Sequence, residues 1–455
     1  MLVMADDMGY GQTGYYNHPA LKTPHMDEMV ANGLRFDRFY AGAPNCSPTR
    51  ATVLTGRTND RTGVTNHGVP LRPQEVTLAS LLKQAGYATG HFGKWHLNGL
   101  RGPGAPILIG DERHPGHFGF DRWTSVTNFF DRDPLMSRQG EIQQYYGDSS
   151  ELIVKLALQF IEDNAKQDQP SLTVIWYGSP HSPFDASEDD RSEFDDLDTS
   201  SAHHYGELVA MDRSIGRLRH SLRELQIADN TLLWFCSDNG GLPKITPGTV
   251  GQLRGFKNSV YEGGLRVPAV LEWPARIREP RVTRFPACTT DILPTLAEVV
   301  DVDLPKRPLD GQSLLAVIDG QDGPRNRPLG FRHTGRSAWI DGDWKLVLPN
   351  AVTGQQQPTL DNLELYNVAN DISESRDLIE QEPKRAQQMF AAWQKWNASV
   401  ENSVAGLDYP ERKVVPPDPG PRSWPSTPEY APYLEEWKDR PEFRSYISRA
   451  LKQKN

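Results

Sequence analysis

Cys46 opens the run Cys46-Ser47-Pro48-Thr49-Arg50, set in a loop rich in Pro and Asn and followed by Ala51-Thr52-Val53-Leu54-Thr55-Gly56-Arg57. A thiol in such a loop is a candidate nucleophile, because covalent catalysis needs a side chain that attacks and later leaves. Arg50 stands one helical turn further on, within reach of that nucleophile or its oxyanion. Asp6 and Asp7 are adjacent, and Asp238-Asn239 precede Gly240-Gly241. Three carboxylates and an amide oxygen are hard donors of the kind that hold Ca²⁺ or Mg²⁺. Gly93-Lys94-Trp95-His96, Ser179-Pro180-His181-Ser182-Pro183 and Gly255-Phe256-Lys257 add two cations that can clamp an anion and two imidazoles that can carry protons. Taken singly, each cluster has an ordinary reading. Paired acids are usually solvated, Asp-Asn-Gly-Gly is usually a turn, a lone Lys is usually on the surface, and a lone His is usually a satisfied polar group.

The elements that must bring these residues together are short apolar runs. Val3-Met4-Ala5 leads into Asp6, residues 87–92 into Lys94 and His96, residues 172–177 into His181, and residues 232–236 into Asp238. Runs of this kind read as strands buried on both faces of a parallel sheet. Between them, Leu208, Met211, Ile215, Leu218, Leu222 and Leu225 recur three and four apart, which predicts a helix over 208–225. Further helices are expected over 151–162 and 78–84. Alternating strands and helices predict an α/β fold with a mostly parallel central sheet flanked by helices. Ligands in such sheets gather beyond the carboxyl ends of the strands, which is where the polar clusters fall.

Past residue 325 the pattern changes. Ser337 to Ile340, the turn Asp341-Gly342-Asp343, and Trp344 to Val347 predict a hairpin. Residues 364–366 add a strand, and 383–396 a helix with Pro383 in its first turn. The division expected is a catalytic α/β domain over 1–325, a smaller α+β subdomain over 326–400 with a small antiparallel sheet, and a Pro- and aromatic-rich extension over 401–455 that wraps the surface.

Bulk properties set limits. The 455 residues carry a net charge of −10, with 37% hydrophobic and 24% charged residues. This is the balance of a globular protein, and it argues against a general nucleic-acid surface, which needs clustered Lys and Arg. No apolar run approaches membrane-spanning length. The apolar start, Leu2-Val3-Met4, lacks the basic and longer apolar parts of a signal peptide, so the chain is expected to begin inside its first strand and to lack its natural start. Cys46, Cys236 and Cys288 are too few and too odd in number for a disulfide framework. Cys236 and Cys288 read as core residues.

Cys46-Ser47-Pro48-Thr49-Arg50 with the following Thr55-Gly56 resembles the signature of the type I, formylglycine-dependent sulfatases, arylsulfatase-like members of the alkaline phosphatase superfamily. The resemblance extends over most of residues 1–400, including Asp291-Ile292-Leu293-Pro294-Thr295-Leu296, Leu309-Asp310-Gly311 and Gly342-Asp343-Trp344-Lys345. It implies that Cys46 is oxidised to formylglycine by a separate formylglycine-generating enzyme or anaerobic maturase. The hydrated aldehyde is a gem-diol: a divalent cation acidifies one hydroxyl, which attacks sulfur, and the second hydroxyl later expels the sulfate as the aldehyde re-forms. An ordinary Ser or Cys lacks that second hydroxyl and would stall as a stable ester. The resemblance further implies one metal ion, calcium with magnesium as the alternative, held by Asp6, Asp7, residue 46, Asp238 and Asn239. It assigns Lys94 and Lys257 to the sulfate oxygens, His96 to the diol and His181 to the leaving alcohol, with Arg50 beside the nucleophile. The fold implied is alkaline-phosphatase-like, and the location periplasmic or secreted.

Two departures bear on specificity. The start before Asp6 is shorter than usual in the family, and Asn98 stands where Gly is common, followed by a Gly- and Pro-rich insertion up to Pro106 that is expected to border the substrate. The expected substrate is a sulfated carbohydrate or another sulfate ester. The alternatives are a formylglycine-dependent phosphonate monoester or phosphodiester hydrolase, and a non-catalytic binder of sulfated glycans whose Cys46 is never converted. A two-zinc phosphatase fits less well, since it wants a Ser or Thr nucleophile and several His ligands. His114 and His117, beside Arg113, and His203 and His204 read as loop and capping residues.

Overall fold

The computed structural model describes residues 1–349, 359 and 362–454. At its centre five strands lie in parallel, in the order Leu233–Ser237, Leu2–Ala5, Ser171–Trp176, Ala88–Lys94 and Arg122–Val126. Their apolar residues are buried on both faces, which is why they read as continuous runs rather than alternating ones. Outward from this centre the sheet becomes mixed. Ala269–Glu272 and Leu34–Phe36 pair antiparallel on one side, with Arg281–Thr283 parallel to Leu34–Phe36 at the edge, and Leu135–Arg138 and Glu141–Gln144 pair antiparallel on the other, for ten strands in all. The architecture is the α/β sandwich expected from the sequence.

Helices cover both faces. On one, Ser149–Ala165 and Thr199–Glu224 pack Phe160, Ile153, Leu208, Met211 and Leu218 against Val3, Ile175 and Phe235. On the other, Cys46–Thr55, Leu78–Gln84 and Ile292–Val299 meet Met4, Val174, Trp176 and Trp234. The Thr199–Glu224 helix starts nine residues before the 208 expected from apolar spacing. Asp198 caps it, its carboxylate accepting from the Ser201 amide at 3.1 Å. The first two turns are polar, so the apolar period began too late to mark the start.

Leu329–His333, Arg336–Asp341, Trp344–Leu348 and Glu364–Asn367 form a separate four-stranded antiparallel sheet, with the expected hairpin at its centre. Pro383–Val404 packs on it through Met389, Phe390 and Trp393. This helix runs past the expected 396 because its last turns have partners of their own: Arg61 donates to the Ser399 carbonyl and the Ser403 hydroxyl, both at 2.9 Å. The C-terminal extension does more than wrap the surface. Arg422–Ser423 pairs in parallel with Leu100–Arg101, and Trp424, Tyr430, Trp437, Phe443 and Ile447 build an aromatic cluster with Leu100 and Ala105. Trp424 Nε1 donates to the Pro103 carbonyl at 2.9 Å and the Tyr430 hydroxyl to that of Pro106 at 2.8 Å, so the extension clamps the Gly- and Pro-rich loop.

The small sheet is tied to the large domain by a buried ion cluster. Lys345 Nζ lies 2.9 Å from both Glu262 and Glu374, all three side chains being fully enclosed or nearly so. Replacing Lys345 with Ala leaves the buried Glu374 without its cation and Glu262 with only Arg266, 3.5 Å away, which costs about 3–5 kcal/mol. The expected result is a fall in the urea midpoint of the whole chain at pH 7; an unchanged midpoint would show that the cluster does not hold the two parts together.

Candidate active site

Because the five central strands are parallel, their carboxyl ends lie along one edge, and four of them deliver site residues there. Asp6 and Asp7 follow Leu2–Ala5, Lys94 ends its strand with His96 two residues on, His181 follows Ser171–Trp176, and Asp238-Asn239 follow Leu233–Ser237. The backbone beyond the strands stays knitted. Asp6 N donates to Ser179 O at 3.0 Å, Asp238 N to Ala5 O at 3.0 Å, and His96 N to Thr127 O at 3.0 Å. Asp7 and His96 sit at φ 71° and 56°, a left-handed conformation that non-glycine residues seldom adopt. Such local strain is held by its surroundings and clusters at functional sites. Gly240 is required by space: a Cβ there would lie 1.8 Å from the Gly263 carbonyl oxygen.

That contact draws in the segment carrying Lys257. Gly240 N donates to Gly264 O, Lys257 N to Gly241 O and Asn258 N to Pro44 O, the last at 2.7 Å, so the Lys257 loop bridges the Asp238 and Cys46 loops. Cys46 is the first residue of the helix Cys46–Thr55, all ten of whose residues are buried. Its side chain therefore sits at the positive end of a helix dipole, a position that favours a bound anion. Arg50, one turn along, donates from Nη2 to Asp238 Oδ2 at 2.7 Å and from Nη1 to the Lys94 carbonyl at 3.1 Å, with its guanidinium over the Trp176 ring.

All the residues singled out in the sequence converge here: Cys46, Arg50, Lys94, His96, His181 and Lys257, with Asp6, Asp7, Asp238 and Asn239. Lys94 Nζ is 2.6 Å from Asp6 Oδ2, and Lys257 Nζ is 2.7 Å from Asp7 Oδ1. His181 Nε2 is 3.8 Å from Asp7 Oδ2. His181 Nδ1 donates to the Ser182 carbonyl at 2.5 Å, which fixes the tautomer and leaves Nε2 facing the site. Phe129 stacks on the other side of this ring, 4.7 Å between centroids and 6° from parallel.

His67, Phe129 and Tyr446 carried no signal in the sequence, whereas Arg101 lies in the Gly- and Pro-rich insertion expected to border the substrate. His67 lies edge-on to His96 at 4.7 Å, and one ring nitrogen of each lies within 4.8 Å of the other and of the Cys46 sulfur. Arg101 donates to the His67 carbonyl at 2.7 Å and, with Phe129 and Tyr446, lines the cavity of about 510 Å³ that opens onto Cys46, His181 and Lys257. Arg101 and Gly102 belong to the Gly- and Pro-rich insertion, and Tyr446 to the C-terminal extension. His114 instead accepts from the Gly116 amide and stacks on Trp123, and His204 is bonded to Gln12.

The electrostatics follow from burial. Burial alone would raise Asp7, but Lys257 and then His181 hold its carboxyl below the usual range. Burial and the neighbouring Asp6 push Asp238 up to about 7, against the pull of Arg50. Burial raises the Cys46 thiol to about 12, so as a bare thiol it is a poor nucleophile at neutral pH. Burial and Lys257 push His181 down to about 3, and burial and Lys94 push His96 well below the usual imidazole range, leaving both neutral.

The donors fit a divalent cation. Asp6 Oδ1 and Asn239 Oδ1 are buried with no hydrogen-bond partner among the described residues. Orphan oxygens of this kind cost about 1–3 kcal/mol each unless something binds them. Oxygens of Asp6 and Asp7, the Cys46 sulfur and a His181 nitrogen lie within 4.8 Å of one another. An oxygen at position 46 would complete a hard, oxygen-rich set with Asp238 beside it, suited to calcium or magnesium.

Comparison with known proteins agrees with this geometry. A family model described as Sulfatase matches residues 1–302. The chain is 34% identical over 356 residues to N-acetylgalactosamine-6-sulfatase of Sus scrofa, covering 70% of this chain and 66% of that protein. It is 32% identical over 364 residues to arylsulfatase A of Homo sapiens, covering 70% and 67%. The matched span is thus about two thirds of the length of these relatives. Among solved structures, Ps i-CgsB in complex with k-i-k-neocarrahexaose superposes with a TM-score of 0.78 at 23% identity, covering 91% of this chain and 97% of that one. This places the fold among the alkaline-phosphatase-like sulfatases.

A cation that binds only the folded protein stabilises it, by about 2.7 kcal/mol at a hundred times its Kd. Saturating Ca²⁺ is expected to raise Tm, a chelator to reverse the gain, and Asn239→Ala to blunt it. A Tm indifferent to Ca²⁺ and Mg²⁺ would contradict the assignment of these oxygens.

Proposed function

The chain belongs to the sulfatase family, and on that premise we propose that it hydrolyses sulfate esters of carbohydrates, using a formylglycine derived from Cys46. One observation carries this reading: Arg50, Lys94 and Lys257 converge with Asp6, Asp7 and Asp238 around residue 46, at the base of an open cavity. The carbohydrate part is supported by the relatives whose names specify a sulfated sugar.

Asp6, Asp7, Asp238, Asn239 and residue 46 would hold the cation, which would supply positive charge to acidify the diol and offset charge on the sulfate. The protein's own groups do the rest. Lys94 and Lys257 exchange part of their contact with Asp6 and Asp7 for sulfate oxygens and fix the ester in line with residue 46. The acidified diol hydroxyl loses its proton to solvent, and its oxygen forms a bond to sulfur as the bond from sulfur to the sugar oxygen breaks. Charge builds on the departing oxygen, and a proton from His181 neutralises it. In the free protein His181 is neutral, held down by burial and Lys257. A sulfate ester is an anion, and its arrival beside His181 favours the protonated ring. The covalent sulfate then leaves with its electron pair from carbon, while the second hydroxyl gives its proton to His96, whose ring nitrogens are buried and unpartnered among the described residues. The aldehyde re-forms, and water rehydrates it. Such transfer depends mainly on positioning and fixed charge rather than on new covalent chemistry. Conversion of Cys46 by a maturase is part of the proposal, as is a periplasmic or secreted location. Among the described residues no helix is long and apolar enough to cross a membrane.

Two measurements test this. Matured protein should turn over nitrophenyl sulfate in preference to a phenylphosphonate monoester, and the reverse preference would move the chain to phosphonate hydrolysis. His181→Ala should lower kcat/KM on sugar sulfates by about 10²–10⁴ and on aryl sulfates by much less, because a phenolate needs little protonation. Equal losses on both would remove His181 from the role of acid.

A further inference from the structure

The cavity above Cys46 does not end at the sulfate. A second cavity of about 580 Å³ adjoins it, and the two share Phe129 and Tyr446 as a common wall. Three chain segments run from one into the other: Gly102 lines the first and Pro103 the second, Asn128 the first and Phe130 the second, His181 the first and Pro183 the second. Together they form a passage leading away from the reacting centre.

Their charges are opposite in character. The first cavity presents Arg101 and Lys257 to the substrate. The second presents four carboxylates, Asp131, Asp133, Asp185 and Glu442, against Arg132 and Arg440. Arg440 is already occupied: its Nε donates to Glu442 at 2.5 Å and an Nη to the Asp133 carbonyl at 3.0 Å. Burial and the neighbouring Asp185 push the Asp131 carboxyl well above the usual carboxylate range, which leaves Arg132 alone facing Asp133 and Asp185. Two aromatic rings complete the wall, Tyr446 and Tyr146, the latter 79% exposed. Exposed Tyr faces stack on the C–H face of a sugar ring, and carboxylates accept its hydroxyls. A carboxylate or second sulfate in the same place would meet like charges.

We infer that this second cavity is a subsite for an uncharged sugar next to the sulfated one. The inference rests on the sulfatase reading and sharpens it: the substrate is an oligosaccharide whose sulfated residue is followed by a neutral residue, not by a uronate or a second sulfated sugar. Tyr446 gives the C-terminal extension its part in this, since the extension reaches the passage by docking on residues 100–106 and, through Arg440, on the Asp133 carbonyl.

The test uses two oligosaccharides identical in their sulfated residue and differing only in a neighbouring hexose or hexuronate. Like-charge juxtaposition across an interface costs several kcal/mol, so matured enzyme should favour the hexose by about tenfold or more in kcat/KM. The double variant Asp133→Asn, Asp185→Asn, at two exposed positions, should bring that ratio towards one. Equal or better turnover of the hexuronate, or a ratio the double variant does not move, overturns the subsite. Nitrophenyl sulfate reports on the parent reading by itself. If it is not turned over, calorimetric binding of the same pair to Cys46→Ala still decides the subsite: tighter binding of the hexose form supports it, and equal binding refutes it.

Discussion

Six opposite charges packed against one another at one edge of the sheet are the constraint on which the rest of the structure depends. Asp6, Asp7 and Asp238 and their partners Lys94, Lys257 and Arg50 are buried or nearly so. Taking such ions out of water costs several kcal/mol apiece, and mutual attraction offsets this only in good geometry with extra hydrogen bonds. A hydrophobic cluster of the same size would be at least as stable, so stability alone does not account for the arrangement. It makes sense as a preformed anion and cation site whose ligands take over contacts that the protein makes with itself in their absence.

The fold supplies that geometry by long-range means. Lys257 and Asp7 are 250 positions apart, and Arg50 and Asp238 are 188 apart. Parallel strands align the acids, a wholly buried helix fixes Cys46 relative to Arg50, and a close backbone approach at Gly240 holds the Lys257 loop. The same burial keeps the thiol protonated and both imidazoles neutral. As translated, residue 46 is therefore chemically quiet, and reactivity has to come from its conversion and from the ligands.

Much of this was legible in the sequence. The central strands are apolar runs that end in polar clusters, so both the sheet and the edge holding the site could be read. The charged site residues sit in short motifs whose order resembles the family. Elements without a local period escaped: the first turns of Thr199–Glu224 are polar, and the last turns of Pro383–Val404 are fixed by Arg61. His67, Phe129 and Tyr446 escaped for another reason: His67 and Phe129 lie on connecting segments and Tyr446 on the helix Pro441–Lys454, none has a motif around it, and tertiary docking brings each into the site. The C-terminal extension is the extreme case, since its aromatic residues gain meaning only from distant partners: Trp424 and Tyr430 from residues 100–106, and Tyr409 from Glu75. What was legible is the chemistry common to the family. What was not is most of the cavity wall beyond the reacting centre.

The central claim is that residue 46 acts as an aldehyde hydrate and not as a thiol. Mass spectrometry of the peptide containing Cys46, from protein made in its native host, tests this most directly. The account predicts a peptide lighter by the loss of H₂S and gain of O, in proportion to the activity of the preparation. An unmodified thiol in fully active protein would contradict it.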